Sequence, residues 1–196
     1  MSSIRHLTPA GYRVMPWKNG LGTTTELAVE PPDAGLDAFT WRLSIADLTT
    51  SGPFSAFPGV DRIIVQTEGE PMELVHEGRG RQRLGPLTPY PFQGEWPTHG
   101  ELTGRARDFN VMTRRARARA GLGVHALAAG SAVRLVGVGA TQIVHALRGA
   151  PAIVAGGATT LSEGDTLVLG GAAGLEIAAA SDAAVVLVID IVDTRG

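Results

Sequence analysis

The side chains that could do chemistry lie in the first 115 of 196 residues. The stretch Pro16 to Leu27, PWKNGLGTTTEL, holds Lys18, Asn19, three threonines and Glu26, and further on come Arg42, Ser44, Arg62, Gln66, Asp108 and Asn110. An arginine offers a planar fork that matches a carboxylate, while asparagine and serine supply neutral donors that fix orientation. Converging on one cavity, such a set would grip a small carboxylate-bearing molecule. Glu26 could serve as an acid or base, and a desolvated Lys18 could form a Schiff base. Neither has a visible partner in sequence.

Other chemistries find less support. There is no cysteine, which excludes disulfides and thiolate catalysis. His6, His76, His99, His125 and His145 lie at least twenty positions apart, with no HxH or HExxH pairing. Most of them read as surface or turn residues, and no metal site is expected. Ser55 lacks the G-x-S-x-G elbow, and Gly20-Leu21-Gly22 lacks the third glycine and following helix of a dinucleotide fingerprint. No cofactor is expected.

The elements that must hold these residues are strands. Twenty-six glycines and twelve prolines leave little room for a long helix. In FTWRLSIADL, Phe39, Trp41, Leu43 and Ile45 alternate with Thr40, Arg42, Ser44 and Ala46, which period two places on opposite faces. The same parity pairs Arg62 with Gln66, groups Asp108 with Asn110 and Met112, and puts Thr24 beside Glu26. Asn19-Gly20 followed by Gly22 is turn chemistry leading into a β-branched strand, so a polar edge hairpin is one reading of that stretch. Parity does not say whether the polar faces point inward or to solvent.

Beyond Val124 the pattern is nearly apolar, with strands expected at Val133 to Val138, Gln142 to Ala146, Ala152 to Val154, Thr166 to Leu169, Leu175 to Ala178 and Val185 to Ile191. IIVQTEGEPMEL and IVHALRGAPAIV share a grammar at an offset of 80, which aligns Gly69 with Gly149, Pro71 with Pro151, and Ile63 and Ile64 with Ile143 and Val144. An internal duplication follows, with two β-barrels or sandwiches of similar build. We place a first barrel carrying the ligand site at residues 1–118 and a structural second one at 119–196.

A formal net charge of -2 argues against nucleic acid as a partner. The basic run Arg105 to Arg119 alternates like the outer face of a strand. No apolar run reaches the roughly eighteen residues of a membrane span, and the N-terminus lacks the apolar run of a secretory signal. A cytoplasmic protein without membrane contact is expected, and the apolar second half leaves a homodimer open.

Five strings, PWKNGLGTTTEL, WRLSIA, GPFSAFPGVDR, PFQGE and DFNVMTRR, resemble the serial motifs of the HutD/Ves family, in that family's order and across most of the first 115 residues. The resemblance implies an all-β bicupin, two cupin-type jelly-roll barrels in one chain, without the metal-binding histidines of many cupins. It implies a non-enzymatic regulator of histidine utilisation that senses a carboxylate intermediate such as N-formyl-glutamate or urocanate. The site it implies is Lys18, Asn19, Thr25, Glu26, Arg42, Ser44, Arg62 and Asn110, with no catalytic residue. A metal-independent isomerase or hydrolase with Glu26 as acid/base is the alternative. PFQGE departs from the family's Gly-Asp ending by placing Glu95 at the acidic position.

Overall fold

Short alternating segments separated by glycine and proline satisfy their backbone groups only by pairing with other segments. In the computed structural model, which describes residues 3–17, 22–137, 141–154, 157–171, 174–179 and 182–194, this pairing occurs throughout. No α-helix is present among the described residues, only the 3-10 turn Pro9–Gly11.

The chain opens with β1 (Ile4–Leu7). Ten strands follow: β2 (Arg13–Pro16), β3 (Gly22–Glu30), β4 (Trp41–Leu48), β5 (Gly52–Pro53), β6 (Val60–Gly69), β7 (Met72–His76), β8 (Gly80–Arg83), β9 (Tyr90–Gln93), β10 (Thr98–Leu102) and β11 (Ala106–Arg114). The remainder supplies β12 (Ala118–Leu127), β13 (Ala132–Leu135), β14 (Thr141–Arg148), β15 (Ala152–Val154), β16 (Ala158–Thr160), β17 (Thr166–Gly170), β18 (Leu175–Ala178) and β19 (Ala184–Asp193).

Contacts divide the chain into two units. One is formed by Tyr12–Arg119, and the other joins Met1–Gly11 to Ala120–Thr194. The first eleven residues therefore group with the later part of the chain, and not with residues 12–118 as the sequence boundary expected. The physical reason is the antiparallel pairing of β1 with β17, from Ile4 opposite Leu169 to Leu7 opposite Thr166. Such a pairing leaves no local signal in a four-residue strand.

In the Tyr12–Arg119 unit a six-stranded sheet, β2-β3-β4-β11-β6-β9, and a four-stranded sheet, β5-β10-β7-β8, share one core. Ala46, Leu48, Ile64 and Phe92 of the larger sheet pack with Met72 and Leu74 of the smaller. The other unit repeats the plan, with β1-β17-β14-β19-β12 and β13-β18-β15-β16. Both are jelly rolls of two distinct antiparallel sheets, rather than continuously closed cylinders.

The pairing supports the duplication. β6 lies between β9 and β11, as β14 lies between β17 and β19; β7 lies between β8 and β10, as β15 lies between β16 and β18. Each copy turns on a positive-φ glycine followed two residues later by proline: Gly69 (φ 89°) before Pro71, and Gly149 (φ 76°) before Pro151.

Candidate functional site

Antiparallel register builds the site in rows across the six-stranded sheet. Glu26 of β3 lies opposite Ser44 of β4, and Ser44 lies opposite Asn110 of β11. One row along, Arg42 faces Met112, which faces Arg62 of β6. A third row runs Thr24, Ala46, Asp108, Gln66. Because side chains alternate, all these positions project from the same face. Trp41, Leu43, Phe109 and Val111 on the other face are also buried. Neither face is a solvent face, which is why alternation left the direction open.

The polar groups form two linked systems. Arg42 donates from Nε to Glu26 Oε2 at 2.5 Å and from Nη1 to Ser44 Oγ at 3.2 Å, with Met112 Sδ at 3.8 Å. This ion pair is 5% and 11% exposed at its two side chains, so each charge satisfies the other out of water. Arg62 donates from Nη2 to Asn110 Oδ1 at 2.6 Å, and Asn110 Nδ2 donates in turn to Asp108 Oδ1. Two buried atoms here have no hydrogen-bond partner among the described residues, Arg62 Nε and Asp108 Oδ2.

Arg62 is held by rings as well as by Asn110. Its guanidinium carbon lies 4.9 Å from the centre of Phe92, 5.2 Å from Phe54 and 5.9 Å from Phe57, within cation–π range of each. Burial draws its pKa down to about 10, with Arg42 adding to the fall and Asp108 opposing it, so it stays charged at neutral pH. Asp108 is fully buried, and burial raises its carboxyl to about 7 against the pull of Arg62 and the Asn110 hydrogen bond.

These residues line a cavity of about 580 Å³, a size suited to a small ligand. Arg42, Ser44, Arg62, Asp108, Asn110 and Met112 form one wall, while Met15, Trp17, Leu36, Pro53, Phe54 and Phe57 contribute largely apolar surface. Trp17 is fixed by a 2.8 Å hydrogen bond from Nε1 to Thr24 Oγ1. Its ring lies over Gly22, where an added Cβ would come within 3.2 Å of it and 2.5 Å of the Asp47 carbonyl.

Of the residues expected at the site, Arg42, Ser44, Arg62 and Asn110 line the cavity together. Glu26 is inside, against Arg42. Thr25 is a correction: it pairs with Ile45, between Thr24 opposite Ala46 and Glu26 opposite Ser44, so alternation turns it to the other face, and Thr24 lines the cavity instead. Lys18 and Asn19 lie outside the described residues.

Sequence reading placed Asp108 on the right face without naming it as a site residue. It missed Phe54 and Phe57, which sit in the connection SGPFSAFPGV; two phenylalanines three apart between prolines were the available signal.

Two of the five histidines, His76 and His145, are buried. His76 is a buried strand residue whose Nδ1 lies 2.8 Å from Thr98 Oγ1 and whose Nε2 lies 3.1 Å from Tyr90 Oη. Thr98 gives its own proton to the Trp96 carbonyl, so His76 carries its proton on Nδ1 and accepts from Tyr90 on Nε2. His145 is buried in the other unit, 3.0 Å from Thr166 Oγ1. Among the described residues no three His, Asp or Glu side chains cluster as metal ligands. None of the described helices is long and apolar enough to cross a membrane.

At the positions equivalent to Asp108 and Asn110 the other unit has Val186 and Val188, packed with Val144 and Ala146 in an apolar core, and at the position equivalent to Arg62 it has Gln142, which donates to Asp190 Oδ1. The polar wall of the first jelly roll is thus more apolar in its copy, where valines stand for Asp108 and Asn110. This architecture is that of a two-domain cupin, and the chain shares its fold with a cupin 2 conserved barrel protein from Leptotrichia buccalis (TM-score 0.57, 11% identity, 86% of this chain and 88% of that one).

The chain belongs to the HutD family, whose model matches residues 10–187. It is 33% identical to a conserved protein of unknown function from Pseudomonas aeruginosa PAO1, with a TM-score of 0.88 over 97% of this chain and 99% of that one. It is 30% identical to HutD from Pseudomonas fluorescens SBW25, with a TM-score of 0.83 over 99% of this chain and all of that one. A 21.2 kDa uncharacterized protein in the hutC 3' region of Pseudomonas putida is 43% identical over 62% of this chain, and protein Ves of Cronobacter sakazakii is 43% identical over 53%. The matches span 64% and 57% of those two relatives' lengths.

Proposed function

We propose that the Tyr12–Arg119 unit binds a small carboxylate-bearing metabolite and that the protein is a non-enzymatic regulator of histidine utilisation, responding to an intermediate such as N-formyl-glutamate or urocanate. The observation that carries this reading is Arg62: a buried arginine on a cavity wall, ringed by phenylalanines, with a neutral amide as partner and, among the described residues, no acceptor for Nε. A buried donor without an acceptor costs about 1–3 kcal/mol, and a carboxylate in the cavity would recover that loss. The link to histidine utilisation rests on family membership and on the relatives' names.

The alternative, an isomerase or hydrolase with Glu26 as acid/base, is less well supported. Glu26 Oε2 is held on Arg42 Nε at 2.5 Å, which makes Glu26 a group that orients Arg42. Titration calorimetry with N-formyl-glutamate, urocanate, histidine and glutamate tests the binding reading. At least one carboxylate should bind saturably, and Arg62→Gln should weaken it roughly 10- to 100-fold, the loss of a charge-assisted hydrogen bond. Absence of heat and of a thermal shift with all four at millimolar concentration, or conversion of any of them by the wild-type protein, overturns it.

A further inference from the structure

The charges around the cavity can be counted. Arg42 is neutralised by Glu26, its partner on the adjacent strand. Arg62 is joined to Asp108 through Asn110, which accepts from the first and donates to the second. With Asp108 ionised, two cations and two anions cancel among these described groups. With Asp108 protonated, one positive charge is left, on the guanidinium whose Nε is unpaired.

We propose that the cavity is built for a single carboxylate head on an otherwise uncharged, flat or apolar body, and that seating this head requires Asp108 to take up one proton. The inference rests on the carboxylate-binding function proposed above and narrows its ligand class. Among the described residues, a dicarboxylate would leave one negative charge uncompensated in a buried site, a costly arrangement. The aromatic rings of Trp17, Phe54 and Phe57 suit an apolar body.

Asp108 lies on the cavity wall with no solvent-exposed surface, and it acts as a positioning residue that sets the charge of the site through Asn110. Among the described residues, the groups that face it are few. Arg62 comes from β6, with Arg42 of β4 beyond it, and Glu26 of β3 is turned to Arg42. Asp47 of β4 adds a smaller repulsion while itself bonded to Arg107. The cavity residues next to β5, Pro53, Phe54 and Ser55, carry no titratable side chain. Burial already holds the Asp108 carboxyl up near 7, and an anion beside Arg62 pushes it further the same way.

The test is calorimetry with benzoate and trans-cinnamate against glutarate and N-formyl-glutamate, at pH 6 and pH 8, in buffers of different ionisation enthalpy. The monocarboxylates should bind at least about tenfold more tightly than the dicarboxylates. Above neutrality their affinity should fall roughly tenfold per pH unit, with about one proton taken up at pH 8 and little at pH 6. In Asp108→Asn, a neutral isostere, the affinity should become independent of pH. Should that variant fail to fold, the buffer series on the wild-type protein decides alone. Tighter binding of the dicarboxylates, or binding at pH 8 without proton uptake, overturns the inference while leaving the carboxylate function standing; binding of no carboxylate overturns both.

Discussion

At the scale of single residues, Asp108 has the largest consequence for stability. Its folded-state pKa of about 7 lies above the ordinary carboxylate value, so between about pH 4 and pH 7 the folded chain holds a proton that the unfolded chain has released. Stability from this group is therefore highest in acid and falls as pH rises toward 7. Asp108→Asn removes the ionisation, and we expect it to raise stability at pH 8 by about 2–4 kcal/mol, measured by urea denaturation, while changing little at pH 4. A variant less stable than wild type at pH 8 would show Asp108 to be ionised at no cost. Arg42, Ser44, Arg62 and Asn110 were legible in sequence because alternation fixes which residues share a face. The protonation of Asp108 was not, since it depends on Arg62 and Asn110 arriving from specific registers. Thr25 was assigned by motif where the parity of Thr24 and Glu26 pointed elsewhere.

At the scale of elements, the turn after β6 and its copy after β14 govern how each jelly roll starts its second sheet. A Cβ at Gly69 would collide with the Arg105 carbonyl, and one at Gly149 would sit 2.5 Å from the Ala183 carbonyl, both at positive φ. Gly69→Ala and Gly149→Ala should each cost more than about 2 kcal/mol in denaturant unfolding. Gly78→Ala, with positive φ but open space around it, should cost only about 1 kcal/mol. Equal losses at all three would mean that backbone conformation, and not the neighbouring carbonyls, sets the requirement. These turns were visible in sequence as a repeated Gly-x-Pro grammar. Strand β16 was not, because Ala158-Thr159-Thr160 carries no apolar alternation, and neither was the pairing of β1, whose partner lies about 160 residues away. The basic run from Arg105 is explained by its partners: Arg107 bridges Asp47 and Glu68, Arg115 takes Asp61 and Glu95, and Arg114 and Arg117 hold the carbonyls of Asp37, Phe39 and Ala38. Glu95, the residue at the variant position of its motif, thus has a place in an ion-pair network.

At the scale of the whole molecule, Asp108 and His145 should push the stability of their two units in opposite directions as acid is added. Burial of His145 lowers its pKa to about 4, below the ordinary histidine value, with Asp165 opposing the shift. Between about pH 6.5 and pH 4 the unfolded chain binds a proton that folded His145 refuses, so this contribution to stability is lost as pH falls. In the same range Asp108 stabilises its own unit. Hydrogen exchange at pH 4.5 and pH 7 should therefore show protection in β14 and β17 falling on acidification relative to β6 and β11, and His145→Gln should remove most of that difference. A uniform change across both units would contradict this.

Finally, the polar-walled jelly roll and its more apolar copy bear on how a tandem repeat folds without confusion. Strands β6 and β14 obey the same pairing grammar, so during folding each meets two candidate neighbours, β11 and β19. If β14 took β11 in the equivalent register, Asn110 and Asp108 would face Val144 and Ala146, with Arg62 withdrawn. The buried amide and carboxyl would then lack the guanidinium that organises them, a loss of several kcal/mol. The polar wall that shapes the cavity thereby also labels its strands, so that each copy recognises its own.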